Sequence, residues 1–146
     1  MSNLVQYIYT SRIAPRSPLE DEAGLDTLMS YSIARNAKDN ITGVLLVMPP
    51  VIIQLIEGPA VAIDGAISRI RSDRRHTDFR VLGRVEIKAR SFPDWAMSAE
   101  HLSESDARIH KALKTIKVKS CIGLDYAQTR RFLILLWESK ADVHVL

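Results

Sequence analysis

Gln54 stands in the middle of the most apolar stretch of the chain, Asn40 to Gly58, which reads NITGVLLVMPPVIIQLIEG. Runs rich in Val, Ile and Leu flank Pro49-Pro50 and read as two strands joined by a turn, because proline has no amide proton for a sheet ladder. Both faces of both strands are apolar, as in central strands covered on each side. A carboxamide there sets a donor and an acceptor at a buried site, and each needs a partner. Helical and strand periodicity turns further polar groups inward: Tyr9, Ser32 and Asn36, with Arg69 and Asp73. Singly, each has an ordinary structural use. A buried tyrosine finds a carbonyl, an asparagine near a helix end is a cap, and Arg69–Asp73 at i, i+4 is a solvated pair worth little.

Together these residues surround a slot that offers hydroxyls, carboxamides and a salt-bridge end inside apolar walls. Such a slot suits a flat, largely apolar ring with a hydrogen-bonding edge, such as a flavin or a pterin. The basic run Arg71, Arg74, Arg75 and His76 could attend the phosphates of a nucleotide tail, or be a solvated loop. No glycine-rich phosphate loop is present, which excludes a Rossmann site. Hydrolytic catalysis finds no Ser/His/Asp or Cys/His set, and Glu57 is a lone carboxylate without an acid/base partner. His76, His101, His110 and His144 show no metal-ligand spacing. Sheet-face nucleic-acid binding needs exposed aromatics, which these two strands lack.

The elements that must position these groups follow from the pattern. A first strand is expected over Leu4–Thr10, with Val5, Tyr7 and Tyr9 on one face. A first helix over about Glu22–Ala37 carries the stripe Leu25, Leu28, Met29, Ser32, Ile33 and Asn36. Strands over Thr42–Met48 and Val51–Ile56 precede a second helix, about Ala60–Ser72, whose apolar face is Val61, Ile63, Ala66, Ile67 and Ile70. A fourth strand spans Phe79–Ile87, and a short fifth one lies around Trp95–Ala99, where Trp95 and Met97 share a face. Two helices, Ser103–Lys114 and Ala127–Glu138, follow. The fold class is α+β: a ferredoxin-like βαββαβ core with a fifth strand, the slot between the two core helices, and two C-terminal helices over the opposite sheet face.

At 146 residues, 47% hydrophobic and 25% charged with net charge +3, the chain has the balance of one soluble domain, well short of a nucleic-acid binder. One cysteine, Cys121, excludes an intrachain disulfide. The apolar stretch is split by its prolines, so no membrane span is expected. With no signal stretch at the N-terminus, a reducing cytoplasm is the expected compartment.

Tyr9-Thr10-Ser11, Asn36 followed by Ile41-Thr42-Gly43, Gln54-Leu55-Ile56-Glu57-Gly58, Asp73-Arg74-Arg75-His76 and Trp95-Ala96-Met97 occur in this order. The set resembles the BLUF domain, the blue-light sensor that uses FAD. The resemblance covers residues 3–99 and divides the chain into a photosensor, residues 1–99, and a C-terminal helical output segment, residues 100–146. It implies a non-enzymatic photoreceptor holding FAD non-covalently, with FMN or riboflavin as chemically allowed substitutes. Tyr9 matches the tyrosine that gives an electron and then a proton to the excited flavin, and Gln54 the switch glutamine beside it. Ser32, Asn36, Arg69 and Asp73 match contacts to the ring's pyrimidine side; Arg75 and His76 complete the cofactor set. Trp95 and Met97 match residues that relay the signal. Output would pass to a separate signalling protein, from a homo-oligomer, without nucleic acid or membrane. A flavin-free interaction module on the same fold is the alternative. Three departures stand out: Arg35 where asparagine is common, Ile52 and Ile53 where phenylalanine is favoured, and Asn40 before Ile-Thr-Gly, a residue that tolerates a left-handed backbone.

Overall fold

The computed structural model describes residues 3–145; residues 1, 2 and 146, and the side chains of residues 140–145 including His144, lie outside the described residues. Its elements are β1 (Leu4–Ile13), α1 (Glu22–Lys38), β2 (Thr42–Met48), β3 (Val51–Pro59), α2 (Ala60–Arg71), β4 (His76–Glu86), β5 (Ser98–His101), α3 (Ala107–Thr115) and α4 (Tyr126–Val145). The sheet has five strands in the order β4-β1-β3-β2-β5. β1 runs antiparallel to β3 and β4, β2 antiparallel to β3, and β5 parallel to β2. This is the ferredoxin-like core with one strand added at the β2 edge. By contacts the chain forms two compact units, residues 1–102 and residues 103–146.

In the first unit α1 and α2 pack on one sheet face. Their Leu25, Met29, Ile63, Ala66 and Ile67 join Val5, Tyr7 and Tyr9 of β1, Leu45 and Val47 of β2, and Ile52 and Ile56 of β3 in one core. Each Val, Leu, Ile or Met among them contributes about 1.5–3 kcal/mol by leaving water. Residues on the other pleat, among them Ile8, Val44, Leu46 and Leu55, are equally buried. That is why both strands read as continuous apolar runs. Pro49-Pro50 forms the two-residue turn, with Met48 paired to Val51. Asn40 takes a φ of 58°, the left-handed conformation its side chain tolerates. Asp21 caps α1, its carboxylate accepting from the Gly24 amide at 2.8 Å.

Several expectations are corrected. Ile33 (44% exposed) and Val61 (81%) stand outside the core although both fall on the expected apolar stripes. β3 continues past Ile56 because Glu57 and Gly58 pair with Gln6 and Val5 of β1. β5 starts at Ser98, not at Trp95. The Trp95 carbonyl accepts from the Gly43 amide at 3.1 Å and the Ala96 carbonyl from Asn36 Nδ2 at 2.8 Å, so the ladder begins only at Ser98 opposite Val44. Within the second unit α3 starts at Ala107 rather than Ser103, because Asp106 caps it by accepting from the Arg108 amide. Phe132, Leu133, Leu136 and Trp137 of α4 are buried. Among the described residues, no helix is long and apolar enough to cross a membrane.

Candidate functional site

In the ladder Gln54 lies opposite Tyr9 on β1 and Leu45 on β2. Directly opposed residues bring their side chains within reach of each other, and here the Tyr9 hydroxyl donates a short hydrogen bond to Gln54 Oε1. At the other end of the amide, Nε2 donates to Met97 Sδ at 3.6 Å. Thioether sulfur is a weak acceptor, so one end of Gln54 is held firmly and the other loosely. Burial pushes the Tyr9 phenol well above its ordinary range, and the Asp73 carboxylate pushes it the same way. The phenol is therefore protonated and donating. Its ring stacks on Phe79 with centroids 4.6 Å apart, and the Arg71 guanidinium lies 4.9 Å above Phe79.

A cavity of about 290 Å³ opens between α1 and α2 above Tyr9 and Gln54. It lies near the lower end of the roughly 300–1,000 Å³ usual for small-molecule pockets. Ser32 and Asn36 from α1, Arg69 at the end of α2, and Asp73, Arg75 and His76 beyond it line the cavity together with Tyr9 and Gln54. Leu28, Met29, Ile52, Ile56 and Ile70 supply its apolar walls. Trp95 is 38% exposed and Met97 6%, so these two residues do not share a face. Period-two alternation fails there because residues 95–97 precede the strand. Arg35 lines the mouth and Ile52 the wall, whereas Ile53 belongs to the opposite pleat and is buried there.

The expected Arg69–Asp73 pair does not form. Arg69 reaches Asp39 at 3.7 Å, and Asp73 is held by Arg75. That bond keeps the Asp73 carboxyl below its usual range, against the opposing effect of burial. α2 stops at Arg71, so helical spacing no longer relates residue 69 to residue 73. His76 is likewise committed: Nε2 lies 2.6 Å from the Ile70 carbonyl and Nδ1 2.7 Å from Ser11 Oγ. A carbonyl only accepts, so Nε2 carries a proton. The basic run thus has Arg71, Arg75 and His76 engaged with protein groups.

Sequence reasoning missed Ser11, Phe79 and a buried set around Glu57. Gln6 and Glu57 face each other across β1 and β3 on the pleat opposite the cavity, 1% and 0% exposed. Gln6 alternates with Val5 and Tyr7 along β1, so period two sets it on that pleat and is the signal that finds it. Among the described residues, no group of three or more His, Cys, Asp or Glu side chains could hold a metal.

The model of the BLUF family, sensors of blue light using FAD, matches residues 4–98. The chain belongs to the BLUF family. A photoactivated adenylate cyclase beta subunit of Euglena longa is 33% identical over 100 residues, covering 67% of this chain and 11% of that protein. The chain spans about a tenth of the length of the curated relatives it matches. Among solved structures, the dark state of the BLUF protein BlrB superposes with a TM-score of 0.71 at 32% identity, over 92% of this chain and 97% of that one. BlrP1 of Klebsiella pneumoniae, solved with FMN and cyclic diGMP, gives a TM-score of 0.64 at 32% identity over 76% of this chain and 30% of that one. The donor set suits the family's flavin. An amide and a hydroxyl on α1, the Arg69 cation at the end of α2 and the Asp73 carboxylate beyond it line the cavity with both donors and acceptors, between aliphatic walls.

Proposed function

We propose that this chain is a blue-light photoreceptor that holds FAD non-covalently between α1 and α2 and signals by rearranging the Gln54 amide. The observation that carries the reading is the hydrogen bond from the Tyr9 hydroxyl to Gln54 Oε1 at the floor of the cavity. Ser32, Asn36, Arg69 and Asp73 would hold the polar edge of the ring, Arg75 and His76 would border its tail, and Leu28, Met29, Ile52 and Ile56 would exclude water. When bound, the flavin supplies the chromophore and the acceptor for an electron and a proton.

Tyr9 holds its proton at Oη, where burial keeps it until it is drawn away. With that hydrogen bond broken, Gln54 is free to exchange its amide ends. A reversed amide turns Oε1 toward Met97 Sδ, an acceptor against an acceptor, and the contact is lost. Met97 then no longer ties residues 95–97 to β3. Residues 1–99 act here as the photosensor, with residues 100–146 as the output segment. The recipient is a separate signalling protein in the cytoplasm. Proteins similar to this chain are named as a photoactivated adenylate cyclase subunit and as BlrP1 with FMN and cyclic diGMP, which supports an effector as the recipient of the signal. Assembly into a homo-oligomer belongs to the same reading.

Purified protein reconstituted with FAD is expected to be yellow and to shift reversibly to longer wavelength under blue light. Tyr9→Phe keeps the colour and loses the shift; Gln54→Leu also binds flavin but stays in its dark form. A colourless preparation that takes up neither FAD nor FMN would leave only a flavin-free interaction module. A normal shift in Tyr9→Phe would remove the mechanism while leaving the cofactor.

A further inference from the structure

We infer that Glu57 is a positioning residue. With Arg90 it pins residues 90–92 to the base of the β2–β3 hairpin, so that motion starting at Gln54 is confined to residues 95–101. The inference rests on the photoreceptor reading for its source of motion, but its contacts lie on the opposite pleat from the cavity.

The Glu57 carboxylate is fully buried. Oε2 accepts from Gln6 Nε2 at 2.9 Å and Oε1 from the Phe92 amide. Gln6 Nε2 also reaches Ser91 Oγ at 3.2 Å. Arg90 fastens the same stretch by donating to Thr42 Oγ1 at 2.9 Å, to the Glu57 carbonyl at 3.0 Å and to the Asn40 carbonyl at 2.8 Å. Hydrogen bonds that involve an ionised partner are roughly twice as strong as neutral ones, and Phe92 is itself buried. Farther along, the bonds are neutral and end in the weak one. Trp95 O accepts from Gly43, Ala96 O from Asn36, and Met97 Sδ from Gln54 at 3.6 Å. Between the two ends Pro93 and Asp94 are exposed. A segment with a charge-assisted anchor at one end and a thioether contact at the other gives way at the thioether.

Amide hydrogen exchange on the full chain tests this at single residues. In the flavin-loaded protein, steady blue light is expected to speed exchange at Gly43, whose partner is the Trp95 carbonyl, and to leave Phe92 unchanged. In darkness, with or without flavin, E57M removes the carboxylate that accepts from the Phe92 amide while nearly keeping the side-chain volume. Phe92 exchange should then rise roughly 10- to 100-fold. E57Q keeps an acceptor for Phe92, with Gln6 turning its own amide to accept from the new one, and should return most of the protection. A merely space-filling role for Glu57 predicts native Phe92 exchange in E57M. Light that deprotects Phe92 as much as Gly43 overturns the inference, as does E57M with native Phe92 exchange. Failure of the photoreceptor reading shows separately, as absence of any light-induced absorbance shift; the dark, flavin-free arm still decides whether Glu57 is the anchor.

Discussion

The Tyr9 phenol keeps its proton because burial denies the phenolate water. Its titration lies above the ordinary 10.0 through burial first and the Asp73 carboxylate second. The unfolded chain releases this proton near pH 10 and the folded chain keeps it. Stability due to Tyr9 is therefore complete below that pH and is lost as pH rises toward the folded value. Between about pH 9 and about pH 11 the unfolding free energy should fall with a slope reaching about 1.4 kcal/mol per pH unit from this one group. Denaturant titrations of the native protein and Tyr9→Phe should differ by that slope; identical slopes would mean that the phenol is wet. At this scale the residue types were legible, since an amide inside aliphatics demands a partner. Partner choice was not. Arg69 and Asp73 satisfied i, i+4 arithmetic, but the helix ends between them, and Asp39 and Arg75 took their places.

Strand and helix positions were readable where turn or capping residues bound an apolar run or stripe, as in β2 and α1. Reading failed where a carbonyl was captured by something outside the ladder, as at Trp95 and Ala96. Gly43 illustrates the constraint. A Cβ there would meet the Leu55 carbonyl oxygen at 2.1 Å, and the Gly43 amide is the one bonded to Trp95 O. Gly43→Ala should lower stability by about 1–3 kcal/mol, the usual cost of overpacking, and should loosen residues 95–97. Chemical denaturation reads the first effect and exchange at the Gly43-equivalent amide the second. An unchanged unfolding midpoint would mean that β2 and β3 separate more easily than the sheet suggests.

Across the whole molecule the two compact units invite independent disruption. Phe132 is fully buried in α4, and Phe→Ala at such a site costs about 3–5 kcal/mol. Phe132→Ala should lower the thermal stability of the helical signal from residues 103–146, followed by circular dichroism. Flavin colour and the light-induced shift should persist; their loss would show that the photosensor depends on the intact C-terminal unit. The sequence by itself determined the strand and helix types, the order βαββαβ and the polar residues turned inward, because periodicity and the avoidance of buried unpaired amides act along the chain. Only the tertiary structure decided that the Tyr9 hydroxyl donates to Gln54 Oε1, that Met97 lies inside and Trp95 outside, and that Glu57 has partners at all. Those pairings depend on which residues face each other across the sheet, and register is set by the packing of distant segments rather than by their composition.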